Sequence, residues 1–161
     1  MGSGLCAIYE LKSSFGVLSV SETKNNYRSA EKDNRGENYF QRMLSREPEE
    51  GATYSRNMVD TALHYEMDEK GLFGKPGSGR NVRVIESDDP MGTAMDFFSK
   101  ISEGAKTDIM NGGSALFCNL NDGVRINFRP YSSTPGSPAV DIHMEMPDRW
   151  QKIHFIMREL L

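Results

Sequence analysis

Three short runs between residues 122 and 157 alternate apolar and polar side chains, and that alternation limits what the chain can become. Successive side chains of a strand point to opposite faces, so a period of two calls for a sheet buried on one side only. Val124, Ile126 and Phe128 share a face opposite Arg125, Asn127 and Arg129. Val140, Ile142 and Met144 oppose Asp141, His143 and Glu145. Ile153, Phe155 and Met157 oppose Lys152, His154 and Ile156. Upstream, Leu116, Cys118 and Leu120 also alternate, and Asn121-Asp122-Gly123 supplies a hairpin turn. The pattern predicts an antiparallel meander of about four strands, over 115–120, 124–129, 139–144 and 152–157. One face is core. The other gathers two arginines, a lysine and two of the chain's three histidines. A solvated sheet face needs polar residues, but it does not need this mixture of fixed cations and titratable imidazoles.

The apolar face needs a cover. Ser87-Asp88-Asp89-Pro90 is a strong helix start, with an acidic cap and a proline in the first turn. Met91, Ala94, Met95, Phe98 and Ile101 then mark one helical face, read as core, and Gly104 ends it. Residues 82–85 read as a strand. Thr53 is the expected N-cap of a helix reaching about Glu69, with Met58, Ala62 and Tyr65 as its stripe, Val59 and Leu63 beside it, and His64 at its surface. Residues 38–45 suit a short amphipathic helix that Glu47-Pro48-Glu49-Glu50-Gly51 closes. Residues 21–36 read as loop or frayed helix, and 5–11 with 17–20 as a strand pair. Residues 71–79 hold four glycines and a proline. Their Gly-Lys-Pro-Gly-Ser-Gly-Arg lacks the Gly-Lys-Ser/Thr ending of a phosphate loop, and no clear strand precedes it, so the segment reads as a connection. The expected class is α+β: N-terminal helices and a C-terminal antiparallel sheet of about four strands with a helix packed on one face. The expected organisation is a single domain over 1–161, with an N-terminal subregion at 1–70 and a core at 82–157.

The net charge of −4 argues against a broad basic surface that coats duplex nucleic acid, but leaves room for a small cationic centre. No apolar run approaches the ~20 residues of a membrane span. Cys6 and Cys118 lie in separate strand-like runs and read as buried thiols, since two cysteines make no disulfide framework. Asp141 with His143 would be half a metal site, without further ligands at chelating spacing. Neither a metal nor a cofactor is expected.

The run Asp-Gly-Val-Arg-Ile-Asn-Phe-Arg-Pro-Tyr-Ser-Ser-Thr-Pro-Gly-Ser-Pro-Ala-Val-Asp-Ile-His, followed by Lys-Ile-His-Phe-Ile, resembles the C-terminal toxin domains of bacterial polymorphic and contact-dependent toxins. The resemblance covers about residues 82–157: a serine-rich loop after an arginine, a Gly-Ser-Pro-x-x-Asp-Ile strand and a Lys-Ile-His-Phe strand, in that order. It points to the barnase, EndoU, colicin E5/D and RelE-like ribonucleases. It implies helices on an antiparallel sheet, metal-independent cleavage of RNA, with transfer RNA as one candidate substrate, and a cognate immunity protein that blocks the site. It also implies secretion or contact delivery within a larger toxin and action in the cytoplasm of a target cell.

Residue chemistry gives the roles. Metal-free RNA cleavage needs a base for the 2′-hydroxyl, an acid for the leaving 5′-oxygen and cations on the phosphate. His154 is the expected principal acid/base, with Arg129 and Lys152 as phosphate stabilisers and Ser133 and Thr134 as hydrogen-bond donors. Tyr131 would stack a base or supply a proton. His143 is a candidate second acid/base, and Asp141 orients a neighbour. Two rival readings stand beside this one. An ADP-ribosyltransferase would want a late Glu-x-Glu, for which Glu145 is the only nearby acid. A non-enzymatic interaction module would use the serine loop as its surface.

Overall fold

The computed structural model describes residues 26–132, 137–144 and 150–159. Its contacts divide the chain into two units, Met1–Arg42 and Met43–Leu161. The expected strands at 5–11 and 17–20 lie outside the described residues. The first helix, α1 (Asn26–Leu44), is longer than the sequence suggested. It runs through the mixed-charge stretch expected to be loop or frayed helix. Ala30, Glu31, Lys32, Arg35 and Glu37 are all good helix formers, and the single Gly36 costs only about 1 kcal/mol.

In the second unit α2 (Tyr54–Ala62) starts where expected, with Thr53 Oγ1 accepting from Arg56 N at 3.2 Å. It stops seven residues short of Glu69 and buries a different face: Tyr54, Asn57 and Thr61. Val59 and Leu63 face solvent, 60% and 78% exposed. The polar face wins because Asn57 Nδ2 donates to the carbonyls of Ile101 and Glu103, at 3.0 and 2.9 Å, where the next helix ends. Asp122, from the hairpin turn, caps α2 a second time: Tyr54 N donates to Oδ1 at 2.8 Å and Ser55 N to Oδ2 at 3.1 Å. Asp122→Ala is therefore expected to lower the unfolding free energy by about 1 kcal/mol, measured by urea denaturation.

The second unit is α+β, and its sheet is larger than the four expected strands. Among the described residues seven strands run β1 (Lys75–Pro76), β2 (Val82–Ser87), β3 (Thr107–Met110), β4 (Ala115–Asn119), β5 (Arg125–Arg129), β6 (Ala139–His143) and β7 (Gln151–Met157). Their spatial order is β1-β2-β7-β6-β5-β4-β3. Strands β4 to β7 are the expected meander, paired antiparallel throughout. Beyond it β3 pairs antiparallel with β4, and β2 pairs parallel with β7, so the sheet is mixed. Parallel neighbours need a crossover, and the chain between β2 and β7 supplies it with the helix α3 (Pro90–Ile101) followed by β3 to β6. Part of the glycine-rich connection becomes β1, where Gly74 (φ +74°) lies so close to β2 that a Cβ would sit 2.5 Å from the Val84 carbonyl oxygen.

Helix α3 begins as its sequence dictates, with Asp89 Oδ1 accepting from Gly92 N at 3.2 Å and Pro90 in the first turn. It buries Met91, Ala94, Met95, Phe98 and Ile101, and also Phe97, which was not on the expected stripe. Phe97 meets Phe73 and Tyr65 edge-on at 5.0 and 5.1 Å and Phe155 at 5.6 Å. Two polar side chains join this core. Gln151 Oε1 accepts from Phe73 N at 2.9 Å while its amide donates to the Gly71 carbonyl. Arg83 Nε donates to the Phe73 carbonyl at 2.9 Å. Among the described residues no helix is long and apolar enough to cross a membrane.

Candidate active site

Side chains opposite one another in a ladder stand on the same face. Ladder β5–β6 pairs Arg129 with Ala139, and β6–β7 pairs Ala139 with His154. Arginine, alanine and imidazole thus form one row across three strands. The next row reads Asn127, Asp141 and Lys152. A third sets Arg125 opposite His143. The apolar partners in these strands, Ile126, Phe128, Val140, Ile142, Ile153 and Phe155, are fully buried on the other face. With strands ~4.8 Å apart, the backbones of His154 and Arg129 are about 10 Å apart. Between them in the ladder stands Ala139, which is fully buried.

Charge on this face is partly balanced. Asp141, 7% exposed, accepts from Arg129 Nη2 at 3.0 Å through Oδ2 and at 3.4 Å through Oδ1. This fixes the guanidinium from one side. Its Nε is buried and makes no hydrogen bond among the described residues. Lys152 stands opposite Asp141 in the ladder but remains half-exposed.

His154 is half-buried, with Nδ1 3.4 Å from the hydroxyl of buried Ser137. That hydroxyl also lies 3.4 Å from the carbonyl oxygens of Pro138 and Phe155. A hydroxyl that donates to a carbonyl has lone pairs left for an Nδ1–H, a pattern that leaves Nε2 as the basic nitrogen. Burial holds the imidazole pKa below its ordinary 6.5, helped by the Lys152 and Arg129 cations and opposed by Asp141. The ring is therefore neutral at pH 7. The sign for stability follows: the unfolded chain takes the proton first, so stability is full above about pH 6.5 and declines below it as pH falls toward the folded value.

The loop after β5 is tied at its neck, where Ser132 N and Oγ both donate to the Ser137 carbonyl, at 3.0 and 2.7 Å. Tyr131 is 56% exposed beside that neck. Ser133 and Thr134, the expected donors, lie outside the described residues, as does Glu145. The structure brings His154, Lys152 and Arg129 onto one patch. It does not bring His143 there: four residues along β6 from Ala139 is about 13 Å, and His143 is an exposed neighbour of Arg125 instead. Sequence reasoning missed Ser137 and Ala139. Both lie on the polar face by counting back in twos from Asp141, but only the register puts them beside His154.

Elsewhere, His64 is exposed beyond α2, and burial raises the Cys118 thiol to about 12, an inert core group. Cys6 lies outside the described residues. Among the described residues no three His, Cys, Asp or Glu side chains stand close enough to share a metal ion. A depression lined by Pro48, Glu49, Glu50, Gly51 and Asn121 carries carboxylates and suits no anionic ligand. No family model, curated protein or solved structure matches this chain.

Proposed function

We propose that this chain is the RNA-cleaving domain of a bacterial toxin, a metal-independent endoribonuclease. The observation that carries the reading is the row Arg129–Ala139–His154: a neutral imidazole and a held guanidinium two strands apart on one sheet face, with Lys152 in the next row. A phosphodiester held against the half-exposed Arg129 and Lys152 places its non-bridging oxygens between their charges, which stabilise the pentacoordinate transition state. His154 Nε2 takes the proton of the ribose 2′-hydroxyl. The 2′-oxygen bonds to phosphorus as the bond to the 5′-oxygen breaks, and the leaving oxygen is protonated from the solvated side, where Tyr131 and Lys152 stand. The products are a 2′,3′-cyclic phosphate and a 5′-hydroxyl end. Ser133 and Thr134 are retained as donors in this reading, and a cognate immunity protein as the partner that covers the face. Delivery within a larger toxin belongs to the same proposal.

The test is incubation of the purified chain with total bacterial RNA in excess chelator, followed by sequencing of the new termini. Cyclic phosphate ends at defined positions support the reading, and uncut RNA overturns it. A pH series adds a second check. Catalysis needs unprotonated His154, so the acid limb of kcat/KM is expected below pH 6.5. Lys152→Met removes a cation that depresses the imidazole, and is expected to move that limb upward.

A further inference from the structure

Resting on that reading, we propose that Phe117 and Arg125 form a platform on which a base of single-stranded RNA stacks beside the bound phosphate. The Arg125 guanidinium carbon lies 4.2 Å over the centre of the Phe117 ring. Its Nε donates to Asn127 Oδ1 at 3.3 Å, which fixes the turn of the plane. Arg125 itself is exposed, and its ladder neighbours are Asn119 and His143, both exposed and neither a carboxylate. No ion pair holds it among the described residues, whereas Arg129 on the same strand is held by Asp141.

This arrangement contributes little to the core, which lies on the other face of the sheet. It is a flat cation on an aromatic ring, in a chain of net charge −4. An unneutralised guanidinium with one face free offers both charge for a backbone phosphate and a π surface for a base. Its place fits the proposed substrate. Phe117 is opposite Asn127, two residues along from the row of Arg129, a step of about 7 Å. A nucleotide next to the one cleaved thus reaches the platform while the scissile phosphate stays beside Arg129 and Lys152. Bases in a duplex are stacked on one another and cannot lie here, so the occupant is single-stranded. Asn119 and Asn127 flank the platform with amide groups that can meet a base edge.

The experiment measures binding of two fluorescein-labelled RNA tetranucleotides by anisotropy. Both carry 2′-O-methyl groups, which remove the nucleophile and prevent cleavage; one has its bases and the other is abasic. Phe117→Leu keeps apolar bulk without a ring face, and Arg125→Lys keeps the charge without the plane, so both are expected to fold. Each is expected to weaken the base-bearing oligomer, Phe117→Leu by about 5- to 150-fold, and to leave the abasic one within about twofold. Wild-type affinity of both variants for the base-bearing oligomer would overturn the platform alone. If the wild-type chain binds neither oligomer, or Arg129→Lys changes neither affinity, the phosphate site falls too.

Discussion

His154→Ala is expected to lower RNA cleavage by about 10²- to 10⁴-fold, the range lost when a positioned acid/base is removed. The side chain is half-buried on the polar face of the sheet and not part of the apolar core, so the protein should still fold. Circular dichroism and a cleavage time course on one preparation separate the two quantities. A folded variant that cuts at the wild-type rate would remove the imidazole from the mechanism. The cations need different handling. Arg129→Ala strands Asp141 as a buried, unpaired carboxylate and costs stability as well as activity. Arg129→Lys keeps a charge beside Asp141 but loses the fork that can hold Asp141 and a phosphate together, so it is the cleaner probe.

Phe97→Ala is expected to cost about 3–5 kcal/mol of unfolding free energy. The ring is fully buried in α3 and touches three other aromatic rings, one of them Phe155 on the strand that carries His154. A domain of this size has only about 5–15 kcal/mol in total, so the variant should be close to unfolded at 37 °C. Leu63→Ala gives the contrast. Leu63 lies beside the apolar stripe that sequence alone favoured for α2, yet it is 78% exposed, and its removal should change stability by no more than about 0.5 kcal/mol. Denaturant melts of both variants decide between the periodic reading of α2 and the observed packing. Equal losses would mean that the solvent-facing side of α2 is covered in solution.

The meander was legible because period-two alternation in Arg125–Arg129, Ala139–His143 and Gln151–Met157 leaves one way to bury the apolar set. The start of α3 was legible for a similar reason, since Asp89 and Pro90 act within one turn. Helix α2 was misread because Met58, Ala62 and Tyr65, with Val59 and Leu63 beside them, have the right spacing. The contest was settled by Asn57, whose amide is needed at the end of α3, 44 residues away. The parallel pairing of β2 with β7 was also out of reach, since nothing local in Val82–Ser87 names a partner 70 residues on.

The candidate site divides along the same line. The amino-acid sequence by itself determined that Arg129, Lys152 and His154 share a sheet face, because side-chain direction in a strand is a local, alternating property. It could not determine that Ala139 separates Arg129 from His154, that Asp141 holds Arg129, that Ser137 reaches the imidazole, or that His143 lies about four residues away along β6. Those facts depend on the register between strands. Register is fixed by the whole buried face packing at once, and only the tertiary structure decides it.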